Sequence, residues 1–290
     1  MGSIQIDATY WRRALYRPLW NGGPGSGKTT GLLTLPRRKW AQRYGRPIAG
    51  ACHVVVVPGE TGFSSVLPEE DFHVHAWEWD AAAPKQEAAV EVYKEVQACI
   101  REVIAEKHGL VESLVLDGGH KLYDLIMLVH GWQPSMVDDK ESGKQYIKYH
   151  AAFRSFMGLL LGSQVPLVGM TVWEGMELSD PENPKSMKLV YPQFPGMMAK
   201  ECLGMFPLVF HCSKEPAGQA SKFLWTVRPT TRMQAAGLHV PVQVARRFPD
   251  VISVEFGADG EPRGGTGWAV VERIVAELLG PVAPGKESGS

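Results

Sequence analysis

The sequence predicts an α/β fold in which buried parallel strands alternate with helices and an antiparallel hairpin comes late in the chain. Three observations predict it. A glycine-rich stretch, Gly22-Gly23-Pro24-Gly25-Ser26-Gly27-Lys28-Thr29-Thr30, lies between the short apolar run Pro18-Leu19-Trp20-Asn21 and a helix start at Gly31-Leu32-Leu33. Strand, tight loop and helix therefore follow one another. The apolar runs Cys52–Val57, Val111–Asp117 and Val165–Val172 read as strands buried on both faces. Between and after them, apolar residues recur at helical spacing.

The glycine stretch satisfies the phosphate-binding P-loop spacing, Gly22-x4-Gly27-Lys28-Thr29. Glycines let successive backbone N–H groups turn inward around a phosphate, and the following helix N-terminus adds partial positive charge. Lys28 then reaches the β and γ phosphates, and the Thr29 hydroxyl holds Mg²⁺. The expected ATP-binding set is Gly22, Gly23, Pro24, Gly25, Ser26, Gly27, Lys28, Thr29 and Thr30, with ATP and Mg²⁺ as the bound species.

Composition narrows the class. Of 290 residues, 44% are hydrophobic and 21% charged, ordinary values for a globular chain. No apolar run approaches the roughly 20 residues needed to span a bilayer, so no membrane partner is expected. The N-terminus lacks a basic stretch followed by a long apolar run, and the expected location is the cytoplasm. Cys52, Cys99, Cys202 and Cys212 make no Cys-x-x-Cys pair, which suits a reducing compartment and argues against structural zinc. The net charge of −1 is unevenly spread: residues 1–48 hold nine basic side chains against the single acid Asp7. That segment is either a face for nucleic acid or an acidic neighbour, or simply a solvated basic surface.

In chain order, residues 1–17 form a basic and aromatic extension with Tyr10, Trp11, Leu15 and Tyr16. The P-loop helix is short because Pro36 interrupts it, and a second basic helix is expected from Arg37 to Tyr44. The Cys52–Val57 strand stops at Pro58-Gly59-Glu60-Thr61-Gly62. Ligands bind beyond the carboxyl ends of such strands, so Glu60 is a candidate for activating the water that attacks the γ-phosphate, with a turn acid as the plain alternative. Phe72–Trp79 alternates like a short strand, and Pro84–His108 reads as a helix stopped by Gly109. The Val111–Asp117 strand ends in an acid, the Walker B pattern, whose aspartate orders Mg²⁺ through water.

Residues 133–148 are polar and read as a loop, followed by a helix over Tyr146–Leu161. The next strand ends at Trp173-Glu174, making Thr171 and Glu174 candidate sensors of the γ-phosphate. Gly175–Gln193 reads as a long polar loop in which Lys185, Lys188 and Tyr191 are candidates for tracking and stacking a nucleic acid strand. Leu208–Cys212 and Lys222–Arg228 form a hairpin, past whose end Arg228 and Arg232 are candidates for reaching a neighbour's nucleotide. A last strand over Val251–Phe256 and a helix over Trp268–Leu279 precede a frayed tail. Three parts are expected: the extension 1–17, a core over 18–258, and a C-terminal helix and tail over 259–290.

These parts, with the Tyr191-Pro192-x-Phe194-Pro195-Gly196-Met197-Met198-Ala199-Lys200 segment, resemble the phage-encoded RecA-like ATPases, a group that includes single-strand annealing proteins. The similarity runs from about Leu19 to Gly237. It implies a RecA-like P-loop NTPase core with a mostly parallel sheet flanked by helices. It also implies that Glu60 is the general base and that the Gly175–Gln193 loop is the analogue of a DNA-contacting loop. Two positions depart from the family: Gly118 follows Asp117 where serine is usual, and Pro207-Leu208 stand where an aspartate is frequent. The expectation is a Mg-ATP hydrolase of phage DNA metabolism, in the host cytoplasm, binding single-stranded DNA and assembling as a homo-oligomer, with a single-strand binding protein as a further partner. The rivals are a nucleotide-switched protein-binding module without DNA, and a helicase or packaging motor.

Overall fold

The computed structural model describes residues 14–34, 50–60, 72–80, 85–106, 110–132, 142–180, 182–183, 185–195, 197–217, 220–230, 235–256, 262–263 and 268–279. The basic helix expected over Arg37–Tyr44, Thr61, Gly62 and Arg232 lie outside them.

Eleven strands form one mixed sheet among the described residues. Its spine is parallel: β1 (Pro18–Gly22) lies between β5 (Leu167–Leu178) and β7 (Leu208–Ala217), and beyond β5 come β4 (Val111–Asp117), β2 (Ala51–Val56) and β3 (Phe72–His75). On the far side of β7 the sheet turns antiparallel through β8 (Ala220–Thr226), β10 (Val251–Phe256) and β11 (Pro262–Arg263). Two short additions complete it: β6 (Lys188–Pro192) pairs with the outer half of β5, and β9 (Gly237–Leu238) with the start of β7.

The β-branched runs are buried because each strand faces two cores. Val55 and Val57 look into a core with α2 (Gln86–Ala105), α3 (Gly119–Val129), α4 (Ser142–Leu161) and α5 (Met197–Met205). Val54 and Val56 look the other way, into a core with α1 (Lys28–Thr34), α6 (Val242–Ala245) and α7 (Trp268–Leu279). Period-two alternation along each strand thus feeds both faces. The second core centres on Trp20, whose ring meets Phe210, Trp225 and Trp268 at centroid separations of 4.3–5.9 Å. Parallel along its spine, antiparallel beyond β7 and covered by helices on both faces, the sheet has the α/β architecture that the sequence predicts.

Two expectations need correction. The segment 175–193 is not a loop: β5 continues through Glu174–Leu178 and folds back as β6, with Gly175 opposite Tyr191 and Leu178 opposite Lys188. Its turn is held by Asp180, Asn183 and Ser186, whose backbone and side-chain groups bond one another. The helix α3, unforeseen in the sequence, starts two residues after Asp117, beyond the left-handed Gly118 (φ 98°). The β7–β8 hairpin is as expected but longer, pairing from His211–Thr226 out to Ala217–Ala220. Among the described residues, no helix is long and apolar enough to cross a membrane.

Of the basic residues in 1–48, Arg17 and Lys28 are described, and both are buried. Arg17 donates to the carbonyls of Tyr16, Leu161, Ser163, Val165 and Pro166, closing the carboxyl end of α4.

Candidate nucleotide site

β1, β2, β4 and β5 end on one side of the sheet, and register carries their ends together: Gly22 pairs with Trp173, and Val56 with Asp117. There Lys28, Thr29, Glu60, Asp117, Thr171 and Trp173 line a cavity of about 110 Å³, with the glycine loop as one wall. The loop bends at Gly25 and Gly27, both at positive φ. Gly27 also has the Phe223 ring packed where a Cβ would project, so only glycine fits there.

Asp117 is the floor. Its Oδ1 accepts from the Thr29 hydroxyl at 2.9 Å and from the Thr171 hydroxyl. Thr171 in turn accepts from the Gly118 N–H at 3.0 Å. Oδ2 is buried with no hydrogen-bond partner among the described residues. Burial pushes the Asp117 carboxyl up to about 6, with the two threonine bonds opposing and the Glu60 charge adding to the rise. Lys28 donates to the Gly23 carbonyl at 2.9 Å, and burial lowers its ammonium from the ordinary value.

Glu60 forms a side wall, its side chain almost fully buried and its Oε2 3.8 Å from His120 Nε2. It explains the departure at Gly118: a Cβ there would lie 2.9 Å from the Glu60 Cβ. The space a serine side chain would take is the space Glu60 fills. His120 was not singled out from the sequence. It is 2% exposed, stacks on Trp173 at 5.0 Å, and has no hydrogen-bond partner on either ring nitrogen among the described residues. Burial, with the nearby charges of Lys121 and Lys28, pushes its imidazolium down to about 3. The imidazole is therefore neutral, and 3.8 Å from Glu60 is a dipolar approach rather than an ion pair.

The residues present suit Mg²⁺. Among the described residues no three His, Cys, Asp or Glu side chains are grouped to hold a metal alone. A hydroxyl and one unfilled carboxylate oxygen instead match a hard cation that keeps waters and shares its ligands with phosphates.

The two candidate sensors part company. Thr171 belongs to the Asp117 network, whereas Glu174 lies on the other side of the glycine loop. There it accepts from His211 Nε2 at 2.6 Å, a bond that holds its carboxyl below the usual range, in a cavity of about 510 Å³ shared with Gly23 and Cys212. His211 also went unnoticed in the sequence, where one histidine in an apolar strand gives no signal.

The remaining candidates lie elsewhere. Tyr191 is corrected: it is buried at 9% exposure in the core beside α5, with Lys200 over its ring, so it offers no face for a base. Lys185 and Lys188 are exposed on the β5–β6 hairpin. Arg228 pairs with Asp250 at 3.2 Å and donates to the carbonyls of Ala245 and Phe248, so it is engaged within its own chain.

No protein-family profile matches the chain, and no curated protein matches it. Among solved structures, a KaiC-like protein from the hyperthermophilic archaeon Pyrococcus horikoshii is similar, at 13% identity over 85% of this chain and 88% of that one, with a TM-score of 0.35. So distant a likeness says nothing about activity, and the chemistry of the site rests on its own atoms.

Proposed function

We propose that this protein binds Mg-ATP in the cavity beneath the glycine loop and hydrolyses it. One observation carries the reading: the Thr29 hydroxyl and the Asp117 carboxylate meet at 2.9 Å on the floor of the cavity that Lys28 and Glu60 line. On nucleotide binding Lys28 exchanges the Gly23 carbonyl for phosphate oxygens. Thr29 and Asp117 would hold Mg²⁺, which would supply charge neutralisation at the phosphates. Glu60, at the wall, accepts the proton of the attacking water as that water's oxygen bonds to phosphorus and the bridge to ADP breaks. The test is ATP turnover by the purified protein with and without Mg²⁺. Lys28→Ala should lower both nucleotide affinity and turnover, and unchanged turnover would remove the loop from the chemistry.

We further propose that hydrolysis serves single-stranded DNA, in an assembly of several copies, with a single-strand binding protein as a further partner. The resemblance to phage RecA-like ATPases and the basic segment 1–48 support this. The β5–β6 hairpin supports it little, since Glu177, Asp180 and Glu182 stand beside Lys185 and Lys188. That mixed charge favours the rival, a nucleotide-switched module for a protein partner. Labelled oligonucleotide separates them: the DNA reading expects binding that weakens steeply with salt and changes ATP turnover. Turnover indifferent to DNA, with no binding at low salt, supports the protein-binding module.

A further inference from the structure

We propose that His120 is the positioning residue of Glu60: its Nε2–H donates to the Glu60 carboxylate and aims that carboxylate at the attacking water. The inference rests on the hydrolytic reading above. Three features of the structure lead to it.

The first is how the chain delivers the ring. β4 ends at Asp117, Gly118 turns through a left-handed conformation, and α3 begins at Gly119. Gly119 lies so close to the Met170 side chain that a Cβ would overlap it. The two glycines let α3 start hard against β5, which puts His120 one residue later beside Glu60 and Trp173, two walls of the cavity. The same Asp117-Gly118-Gly119-His120 run therefore supplies the metal acid, the space for Glu60, and the imidazole beside it.

The second is burial without a partner. A histidine 2% exposed with both ring nitrogens unbonded among the described residues is costly unless something completes it. The one carboxylate within ion-pair range of it, among the described residues, is Glu60, at 3.8 Å. Hydrogen bonds at such sites are commonly long without ligand and tighten in the complex. Stacking on Trp173, itself a cavity wall, restrains the plane of the ring, and Nε2 is the nitrogen that faces Glu60.

The third is charge. The imidazole is kept neutral by burial and by Lys121 and Lys28. A neutral N–H can orient a carboxylate by a hydrogen bond without placing a full positive charge beside it.

The experiment compares three variants of the full chain by single-turnover ATP hydrolysis with Mg²⁺, by affinity for a non-hydrolysable ATP analogue, and by thermal melting. His120→Gln carries an N–H to the reach of Nε2, His120→Asn carries one that falls short, and His120→Leu carries none. We expect Leu and Asn to slow hydrolysis roughly 10- to 100-fold with affinity held within about twofold, and Gln to recover most of the rate. Equal rates for Gln and Asn, or a loss confined to affinity, would overturn the proposal. If His120→Leu does not fold, the Gln–Asn comparison still decides. In a Glu60→Gln background, His120→Leu should leave the residual rate unchanged, and a second full loss there means His120 acts independently of Glu60. Wild-type turnover by Glu60→Gln alone overturns the base assignment. Turnover lost in Glu60→Gln but intact in His120→Leu overturns only the part given to His120.

Discussion

Burial raises the Asp117 carboxyl to about 6 from an ordinary 3.8, and that has a consequence for stability. An acid whose folded value lies above its unfolded value favours folding less as it ionises. The penalty is absent below about pH 4 and fully present above about pH 6. The gap corresponds to on the order of 3 kcal/mol. Without nucleotide and metal, Asp117→Asn should therefore raise stability at pH 7.5 by up to about that amount, and should flatten the fall in stability between pH 4 and 6. The same change should abolish Mg-dependent turnover. Urea unfolding across pH 4–8 checks the first part, and a variant less stable than wild type at pH 7.5 would contradict it. Lys28, Thr29, Asp117 and Glu60 were legible because each stands at a fixed place relative to a strand end. His120 and His211 were not, because a lone histidine in apolar surroundings reads as a core residue until the fold shows what it faces.

Arg17 shows how an element can depend on a side chain far from it in sequence. Its guanidinium gathers carbonyls from the last residue of α4 and from the turn that leads into β5, groups that the helix and the turn do not satisfy for themselves. Arg17→Ala leaves those acceptors buried, so a loss of roughly 3 kcal/mol is expected by chemical denaturation. A loss under about 0.5 kcal/mol would mean that water replaces the guanidinium without cost. Among the elements, β2 and β4 were legible because both faces are buried and each run is dominated by Val and Leu, with Asp117 closing β4. The outer half of β5 was not, because Glu174–Leu178 pairs with β6 away from the spine and carries polar residues. Helix α3 was hidden by its start: Gly118-Gly119 reads as a turn, and no side chain caps the helix.

The sheet joins parts that the sequence suggests are separate. Of the C-terminal segment, β11 pairs with β10, and α7 packs through Trp268, Val271, Ile274 and Val275 into the core that also holds Trp20 of the P-loop strand. Tyr16, from the N-terminal extension, donates to Glu272 on α7 at 2.7 Å and lies beside Trp268. Trp268→Ala should cost about 3–5 kcal/mol and lower the nucleotide site's melting together with the rest. Two separate unfolding transitions, with the site intact in the second, would show α7 to be an independent appendage. The sequence could place the helix but not its partner, since the contact joins residues some 250 positions apart.

Glu60→Gln decides whether the cavity is hydrolytic, when nucleotide affinity and single-turnover hydrolysis are measured on the same preparation. Glutamine preserves the size and hydrogen bonding of the wall but cannot take a proton. With Glu60 as the base, Mg-ATP binding within about twofold of wild type is expected, with hydrolysis slowed by about 100-fold or more. Binding and hydrolysis both at wild-type levels would contradict that role.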